Sequence, residues 1–126
     1  MLANSKAYSG FAVDDLEKAR EFYGGTLGLE VEVLDEENGL ATLHLAGDRP
    51  TLMYESPDHR PASYTILNFT VEDIDAAVDE LASREVTFER YDEFEQDEKG
   101  INRGGGPLVA WFKDPAGNVL AVLQED

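Results

Sequence analysis

Residues 111–123 read Trp-Phe-Lys-Asp-Pro-Ala-Gly-Asn-Val-Leu-Ala-Val-Leu, and this stretch decides the fold. Two apolar runs flank its central segment, Asp114–Asn118. The proline presets φ for a turn, and glycine or asparagine accepts the positive φ that closes it. The pattern therefore predicts a β-hairpin with strands at Leu108–Lys113 and Val119–Leu123.

The half of the chain that ends in this hairpin contains one predicted helix. Residues 66–71 form a predicted strand, and Glu72 and Asp73 provide helix N-caps after it. The apolar side of the helix consists of Ile74, Ala77, Val78 and Leu81. Because these positions recur at helical spacing, they indicate one buried face. A further strand is predicted at Val86–Tyr91.

The same order of elements is predicted nearer the N-terminus. A strand ends at Val13, Asp14 and Asp15 offer N-caps, and Gly24-Gly25 are expected to stop the helix because glycine tolerates a left-handed exit. The apolar face of this helix holds Leu16, Ala19, Phe22 and Tyr23. Three strands follow, at residues 30–35, 40–46 and 51–55. The predicted order is βαβββ.

The two halves align without gaps across their first strand and helix, at a constant offset of 58 residues. The matched pairs include Phe11 with Phe69, Val13 with Val71, Asp15 with Asp73, and Leu16 with Ile74. Such a repeat indicates one supersecondary unit that occurs twice. The helix of each unit covers one face of its sheet. The partner unit is the natural cover for the other face, which predicts a cleft between the two.

A family resemblance becomes specific at Phe22–Leu29. This segment resembles the Phe-Tyr-x-x-x-Leu-Gly-Leu phrase of the vicinal oxygen chelate superfamily, which includes glyoxalases, bleomycin-resistance proteins and extradiol dioxygenases. The Asp-Pro-x-Gly-Asn turn is similar to the superfamily's last hairpin. The resemblance implies an α+β fold in which two tandem βαβββ modules form a cupped mixed sheet around a cleft. We expect a single domain of residues 1–126, with modules at about 5–56 and 63–125 and a linker at 57–62.

The resemblance also indicates where a metal ion would bind. Metal-dependent members carry His or Glu at four strand positions, which correspond here to Tyr8, Met53, Ile66 and Ala121. Divalent ions of the Fe, Ni, Zn or Mn type prefer imidazole or carboxylate ligands. Ile66 and Ala121 have no donor atom, while Met53 offers only a thioether. Tyr8 offers a phenol that is protonated at neutral pH. The set disfavours a divalent metal, and no cofactor is predicted.

The expected function is therefore that of the metal-free, ligand-sequestering branch, which includes the bleomycin-resistance proteins. Such a protein would bind a small, mainly apolar or aromatic molecule in the cleft between the modules. The alternative is a lyase, isomerase or dioxygenase that uses a displaced metal site or metal-free acid/base chemistry. His44 and Glu55 are the candidates for a displaced site, although a lone strand histidine is more often structural. Whether the protein is an enzyme stays open, and no catalytic residue is assigned.

Strand alternation and loop length suggest further contacts. If Ile66 faces the cleft, so does Asn68, whose amide contacts either a ligand or a neighbouring group. Trp111 either stacks on a planar ligand or packs in a core or dimer interface. The loop at 92–107 is long enough for a lid, and its Arg103 is either a clamp for a ligand carboxylate or phosphate or a surface arginine. The predicted ligand-binding residues are Tyr8, His44, Met53, Glu55, Ile66, Asn68, Arg103, Trp111 and Ala121.

Composition excludes several classes of partner. The chain has 126 residues, no cysteine and a net charge of −17. Without cysteine there is no disulfide, thiolate metal site or cysteine nucleophile. The negative surface repels phosphate backbones, so nucleic acid is not an expected partner. No apolar run approaches ~18 residues, and the N-terminus lacks the apolar core of a signal peptide. We expect a cytoplasmic protein without a membrane partner and, by resemblance, a homodimer.

Overall fold

The computed structural model describes residues 1–125. They form two compact units, of which one is Met1–Arg60 and the other begins at Pro61. This boundary lies inside the predicted linker, 57–62. The longest helix within the described residues has ten residues, and none of the helices there is long and apolar enough to cross a membrane.

The first unit contains one mixed sheet and one short helix. Its elements are β1 (Ser9–Val13), α1 (Leu16–Arg20), a π-helical turn (Glu21–Thr26), β2 (Glu30–Asp35), β3 (Leu40–Leu45) and β4 (Arg49–Glu55). The strands lie in the order β1-β4-β3-β2 across the sheet. β1 runs parallel to β4, whereas the β4–β3 and β3–β2 pairs are antiparallel. The predicted βαβββ order is confirmed for this unit.

Helix α1 begins as predicted but does not end as predicted. The side chain of Asp15 accepts a hydrogen bond from the Lys18 N–H at 3.2 Å, which is an N-cap. The expected stop at Gly24-Gly25 is wrong, since both glycines lie inside the π-helical turn. The left-handed residue is Gly28, with φ of 75°. A glycine pair in a sequence usually indicates the end of a helix. Here the helical segment continues through both glycines as a π-helical turn and ends at Thr26.

One face of the first sheet packs against α1 and the π-helical turn. Strand pairing places Phe11, Ala41 and Met53 side by side on this face, and Met53 has no exposed surface. Tyr23 from the π-helical turn is also fully buried, with its ring centroid 5.6 Å from that of Phe11. Burial of each large side chain contributes about 1.5–3 kcal/mol. This face forms the core of the unit.

The second unit repeats the plan with a smaller sheet. Its elements are β5 (Thr65–Thr70), α2 (Ile74–Ser83), β6 (Leu108–Lys113) and β7 (Val119–Gln124). The order across the sheet is β5-β7-β6, with β5 parallel and β6 antiparallel to β7. Asp73 caps α2 by accepting a hydrogen bond from the Ala76 N–H at 3.1 Å. The cap is the repeat equivalent of the Asp15 cap on α1.

The strand predicted at Val86–Tyr91 is reduced to a single pairing of Phe88 with Phe112. A side chain from the following loop bonds two further backbone groups of this segment. The amide of Gln96 accepts a hydrogen bond from the Tyr91 N–H at 2.7 Å and donates one to the Glu89 carbonyl at 2.8 Å. The Glu89 N–H still donates to the Trp111 carbonyl of β6 at 2.8 Å, so the segment's main chain is satisfied partly by β6 and partly by the Gln96 side chain.

The hairpin at Asp114–Asn118 forms as predicted. The Asp114 carboxylate is 5% exposed and accepts hydrogen bonds from the Ala116 N–H, the Asn118 N–H and the Asn118 side-chain amide. Gly117 provides the positive φ, 87°. A Cβ at this position would lie 3.1 Å from the Pro61 ring, so glycine is required both by conformation and by space.

Both units attach the end of their last strand to the start of their helix. Glu55, the last residue of β4, accepts a hydrogen bond from the Leu16 N–H at 2.8 Å. Gln124, the last residue of β7, accepts one from the Ile74 N–H at 2.9 Å. Because the first N–H groups of a helix have no partner inside it, each side chain satisfies a donor that the helix leaves free. Glu55 is thus a structural acceptor on the helix side of its sheet.

Replacement of Glu55 tests this attachment. We expect Glu55→Ala to lower the free energy of unfolding by about 1 kcal/mol, because the Leu16 N–H loses its acceptor. Glu55→Gln is the matched control, since Gln124 makes the same contact with an amide oxygen in the second unit. Urea titration measures both variants. Equal losses for Ala and Gln would contradict the assignment.

Candidate functional site

The face of the first sheet that α1 does not cover is the candidate binding surface. It comprises Gly10, Leu34, Thr42, His44, Leu52 and Tyr54, and we call it the open face. Strand register defines this set, since Gly10 pairs with Leu52 and Leu52 with Thr42. Residues paired across neighbouring strands project from the same side of a sheet. The open face therefore lies opposite the buried Phe11–Ala41–Met53 row.

A concavity of about 250 Å³ lies on the open face. Its lining residues are Tyr8, Leu34, Thr42, Pro50, Thr51 and Leu52. Tyr8 is 69% and Leu34 54% exposed, and Tyr54 on the same face is 40% exposed. Exposed large apolar side chains on one face make it a candidate interaction surface. The Tyr8 hydroxyl has no hydrogen-bond partner within residues 1–125, so it is available to a ligand.

Two predicted ligand-binding residues on β4 face away from this surface. Met53 was expected to share the face of Tyr8, but it is fully buried under the helix. Leu52 takes the open-face position instead, because a shift of one residue along a strand reverses the face. Glu55, two residues after Met53, also projects to the helix side. Thr42 pairs with Leu52 in the β3–β4 hairpin. Assignment of this register from the sequence would have placed Leu52, and not Met53, on the open face.

His44 projects from the open face, beside the concavity. Its Nε2 lies 2.9 Å from Glu32 Oε1 and 3.7 Å from Glu30 Oε2. A metal site that combines His44 with Glu55 is wrong, because the two side chains lie on opposite sides of the sheet. Within residues 1–125 no three His, Asp or Glu side chains are grouped to hold a metal ion.

The residues at the superfamily's metal positions do not fit a divalent ion. In the first unit, Leu52 lies on the open face in place of Met53 and has no donor atom. In the second unit, Ile66 and Ala121 have none either. The phenol of Tyr8 is then the one donor group at these positions, and a single phenol lacks the imidazole or carboxylate set that such an ion prefers.

The second sheet presents a row of three predicted site residues. Asn68 on β5, Ala121 on β7 and Trp111 on β6 are paired side by side. Asn68 is exposed, and its amide has no hydrogen-bond partner within residues 1–125. The alternative that it bonds a neighbouring group is therefore not observed. Ala121 is fully buried, so a ligand reaches it only if other side chains move. Ile66, beside this row on β5, is half-buried.

Trp111 belongs to an aromatic cluster of the same unit. Its ring stacks on Phe94 with a centroid distance of 4.7 Å and meets Tyr91 edge-on at 5.4 Å. Burial, together with the charge of Glu89, raises the pKa of Tyr91. The indole is half-buried, and its contacts are internal aromatic contacts. Stacking of a ligand on the face occupied by Phe94 would require Phe94 to leave.

The loop at 92–107 is fastened to α2 by ion pairs. Arg103 donates to Asp75 at 2.8 Å and to Asp97 at 2.9 Å, and Lys99 lies 3.0 Å from Asp79. Ile101 within the loop is fully buried. Arg103 therefore already holds two carboxylates, and the expected clamp for a ligand anion would have to release them. We call these five charged residues the loop network.

Hydrogen bonds in the loop network shift pKa values in both directions. The hydrogen bond from Arg103 lowers the pKa of Asp75, against an opposing effect of burial. Burial alone would raise the pKa of Asp97, but hydrogen bonds from Arg103 and from backbone N–H groups outweigh it, and the pKa is lowered. Hydrogen bonds to Asp79 and Asp97 raise the pKa values of Lys99 and Arg103, respectively.

The fold is that of a small α+β protein, and comparison with known proteins places it in a family. The model of the Glyoxalase/Bleomycin resistance protein/Dioxygenase superfamily matches residues 7–122. The chain belongs to this superfamily. No curated protein matches the chain.

Solved structures of similar proteins agree with this fold. TnmS3, an antibiotic binding protein from Streptomyces sp. CB03234, is 25% identical with a TM-score of 0.73, and the match covers 98% of both chains. A superfamily member from Sphaerobacter thermophilus DSM 20745 is 27% identical with a TM-score of 0.68, over 95% of this chain and 98% of that one. A glyoxalase family protein from Enterococcus faecalis is 21% identical with a TM-score of 0.66, over 98% and 99%.

The loop network generates a prediction for Asp75→Asn. The pKa of Asp75 is lowered in the folded protein, so its stabilising effect is present above the ordinary carboxylate pKa, about 3.9, and is lost as the pH falls through the folded value. We expect the variant to melt a few degrees below the wild type at pH 7 in low salt. The difference should decrease as the pH falls below the ordinary carboxylate pKa and should also shrink in about 1 M NaCl.

Asp92→Asn is the control for this comparison. Asp92 is an exposed carboxylate of the same loop and has no ion-pair partner within residues 1–125. Melting curves from pH 2 to pH 8 should be the same for this variant and the wild type. If Asp75→Asn also follows the wild type at pH 7, the loop network does not stabilise the loop.

Proposed function

We propose that this protein binds a small, mainly apolar or aromatic molecule on the open face of its first unit. The observation that carries the proposal is the concavity, with Tyr8 and Leu34 exposed at its lining. Small-molecule sites usually combine apolar walls with a few oriented polar groups. Here Leu34 and Leu52 provide apolar walls, while the hydroxyls of Tyr8 and Thr42 provide hydrogen-bonding groups.

The size of the concavity bounds the ligand. At about 250 Å³ it lies just below the roughly 300–1,000 Å³ of common ligand pockets. A ligand of one or two rings therefore suits it. The antibiotic-binding neighbour TnmS3, similar over 98% of the chain, supports a role in ligand binding rather than in catalysis. The donor set at the superfamily's metal positions supports binding without a divalent ion.

A matched pair of tyrosine variants tests the ligand site. Tyr8 and Tyr64 are almost equally exposed, 69% and 71%, but only Tyr8 lines the concavity. We expect Tyr8→Ala to weaken the binding of 2-naphthol by about tenfold, because an aromatic contact is lost. Tyr64→Ala should bind like the wild type. Isothermal titration calorimetry gives the dissociation constants. No binding to the wild type, or equal losses in both variants, would refute the proposed site.

Metal content tests the second part of the proposal. After incubation with Fe, Ni, Mn and Zn salts and thorough dialysis, we expect less than roughly a tenth of an equivalent of each metal, because the donor set is wrong for these ions. Mass spectrometry of the untagged protein provides the measurement. One equivalent that is lost in His44→Ala but kept in His59→Ala would instead establish a metal site at His44 and favour the enzyme alternative.

A further inference from the structure

A histidine–glutamate pair stands at the edge of the concavity. His44 lies on β3 and Glu32 on the neighbouring β2, and their side chains meet at 2.9 Å. Pro50, which lines the concavity, is the residue paired with His44 across the β3–β4 hairpin. Thr42, another lining residue, precedes His44 by two positions and so projects from the same face. The imidazole is therefore next to the apolar wall of the proposed site.

The carboxylate of Glu32 determines which nitrogen of His44 is free. An ionised carboxylate only accepts hydrogen bonds, so the neutral imidazole must carry its proton on Nε2 to bond it. The lone pair of Nδ1 is then left as an acceptor. No side chain or backbone group within residues 1–125 bonds Nδ1. The His44 side chain is 39% exposed, so the imidazole is accessible to a ligand.

The charges around His44 select against anions. Glu30 lies opposite His44 on β2, and its carboxylate is 3.7 Å from Nε2. Glu32 lies opposite Thr42 on the same strand. A ligand carboxylate at this edge would meet two like charges, which is unfavourable. A neutral hydroxyl avoids that repulsion and supplies the donor that Nδ1 lacks.

We propose that His44 is a specificity-determining residue that accepts a hydrogen bond from a phenol-type hydroxyl of the ligand. This inference rests on the proposed function, since it assigns a ligand class to the same concavity. Glu32 acts through His44 as a positioning residue, because it fixes the tautomer in which Nδ1 accepts. The ligand class is a neutral aromatic compound of one or two rings with a free ring hydroxyl.

Two probes that differ only in the donor test the inference. 2-Naphthol carries the hydroxyl, and 2-methoxynaphthalene has the same rings without a donor. The measured quantity is the ratio of their dissociation constants in each variant, because the water-to-protein transfer of each probe cancels when ratios are compared. We expect the ratio to change by about tenfold in favour of the methoxy compound when His44→Leu is compared with the wild type.

The accompanying variants separate the role of Nδ1 from other effects. His44→Asn keeps an acceptor near the position of Nδ1 and should preserve most of the preference. Glu32→Gln allows either tautomer of His44, so the preference should fall without loss of binding of 2-methoxynaphthalene. Thr42→Val removes a hydroxyl that lines the concavity, so it measures the contribution of that hydroxyl separately from that of His44. His59→Leu removes the other histidine of the chain and should not alter the ratio.

The possible results distinguish failure of the inference from failure of the proposed function. If both probes bind through Tyr8 but His44→Leu leaves their ratio unchanged, the inference is overturned and the binding site stands. A ratio that changes with Thr42→Val and not with His44→Leu would also overturn it. If neither probe binds the wild type, both the inference and the proposed site are rejected. Tight binding of 2-naphthoate would contradict the selection against anions.

Discussion

The structure depends on the hydrogen bond between the first N–H group of each helix and the side chain that ends the last strand of the same unit. Parallel pairing of β1 with β4, and of β5 with β7, brings those two chain ends together. Glu55 and Gln124 then close the units on α1 and α2. Each helix is thereby fixed over one face of its sheet and leaves the opposite face without a helix. In the first unit that opposite face is the open face.

Local chemistry made most of the fold predictable from the sequence. The Asp114–Asn118 turn, the Asp15 and Asp73 caps and the offset of the repeat each depend on residues close together in the chain. The extent of the strand at Val86–Tyr91 could not be assigned correctly, because the amide of Gln96 bonds the Glu89 carbonyl and the Tyr91 N–H in place of further strand pairing. Such a replacement depends on the path of a loop, which residue patterns do not specify.

The candidate site was less predictable because it depends on register and on distant partners. A displacement of one residue decides whether Met53 or Leu52 reaches the open face, and the sequence of β4 alone allows both. Arg103 has the chemistry of an anion clamp, yet Asp75, which lies 28 residues earlier in the chain, already holds it. Trp111 is a plausible stacking platform until Phe94 is found on its ring. The residue types indicated correctly which contacts Arg103 and Trp111 can make. The neighbouring side chains, Asp75 and Phe94, determine which contacts they do make.

The internal repeat allows the two faces of the first strand of each unit to be compared. At the offset of 58 residues, the pairs on the helix side of the first strands are alike: Phe11 with Phe69 and Val13 with Val71. The exception is Ser9 with Leu67, and Ser9 lies at the sheet end, where it contacts the Thr51 hydroxyl at 2.9 Å. The pairs on the other side differ in chemistry: Tyr8 with Ile66, Gly10 with Asn68 and Ala12 with Thr70. Packing under a helix restricts the first group to similar volumes. The second group is free of that restriction, so the two sheets can share one frame while the faces opposite their helices differ in chemistry.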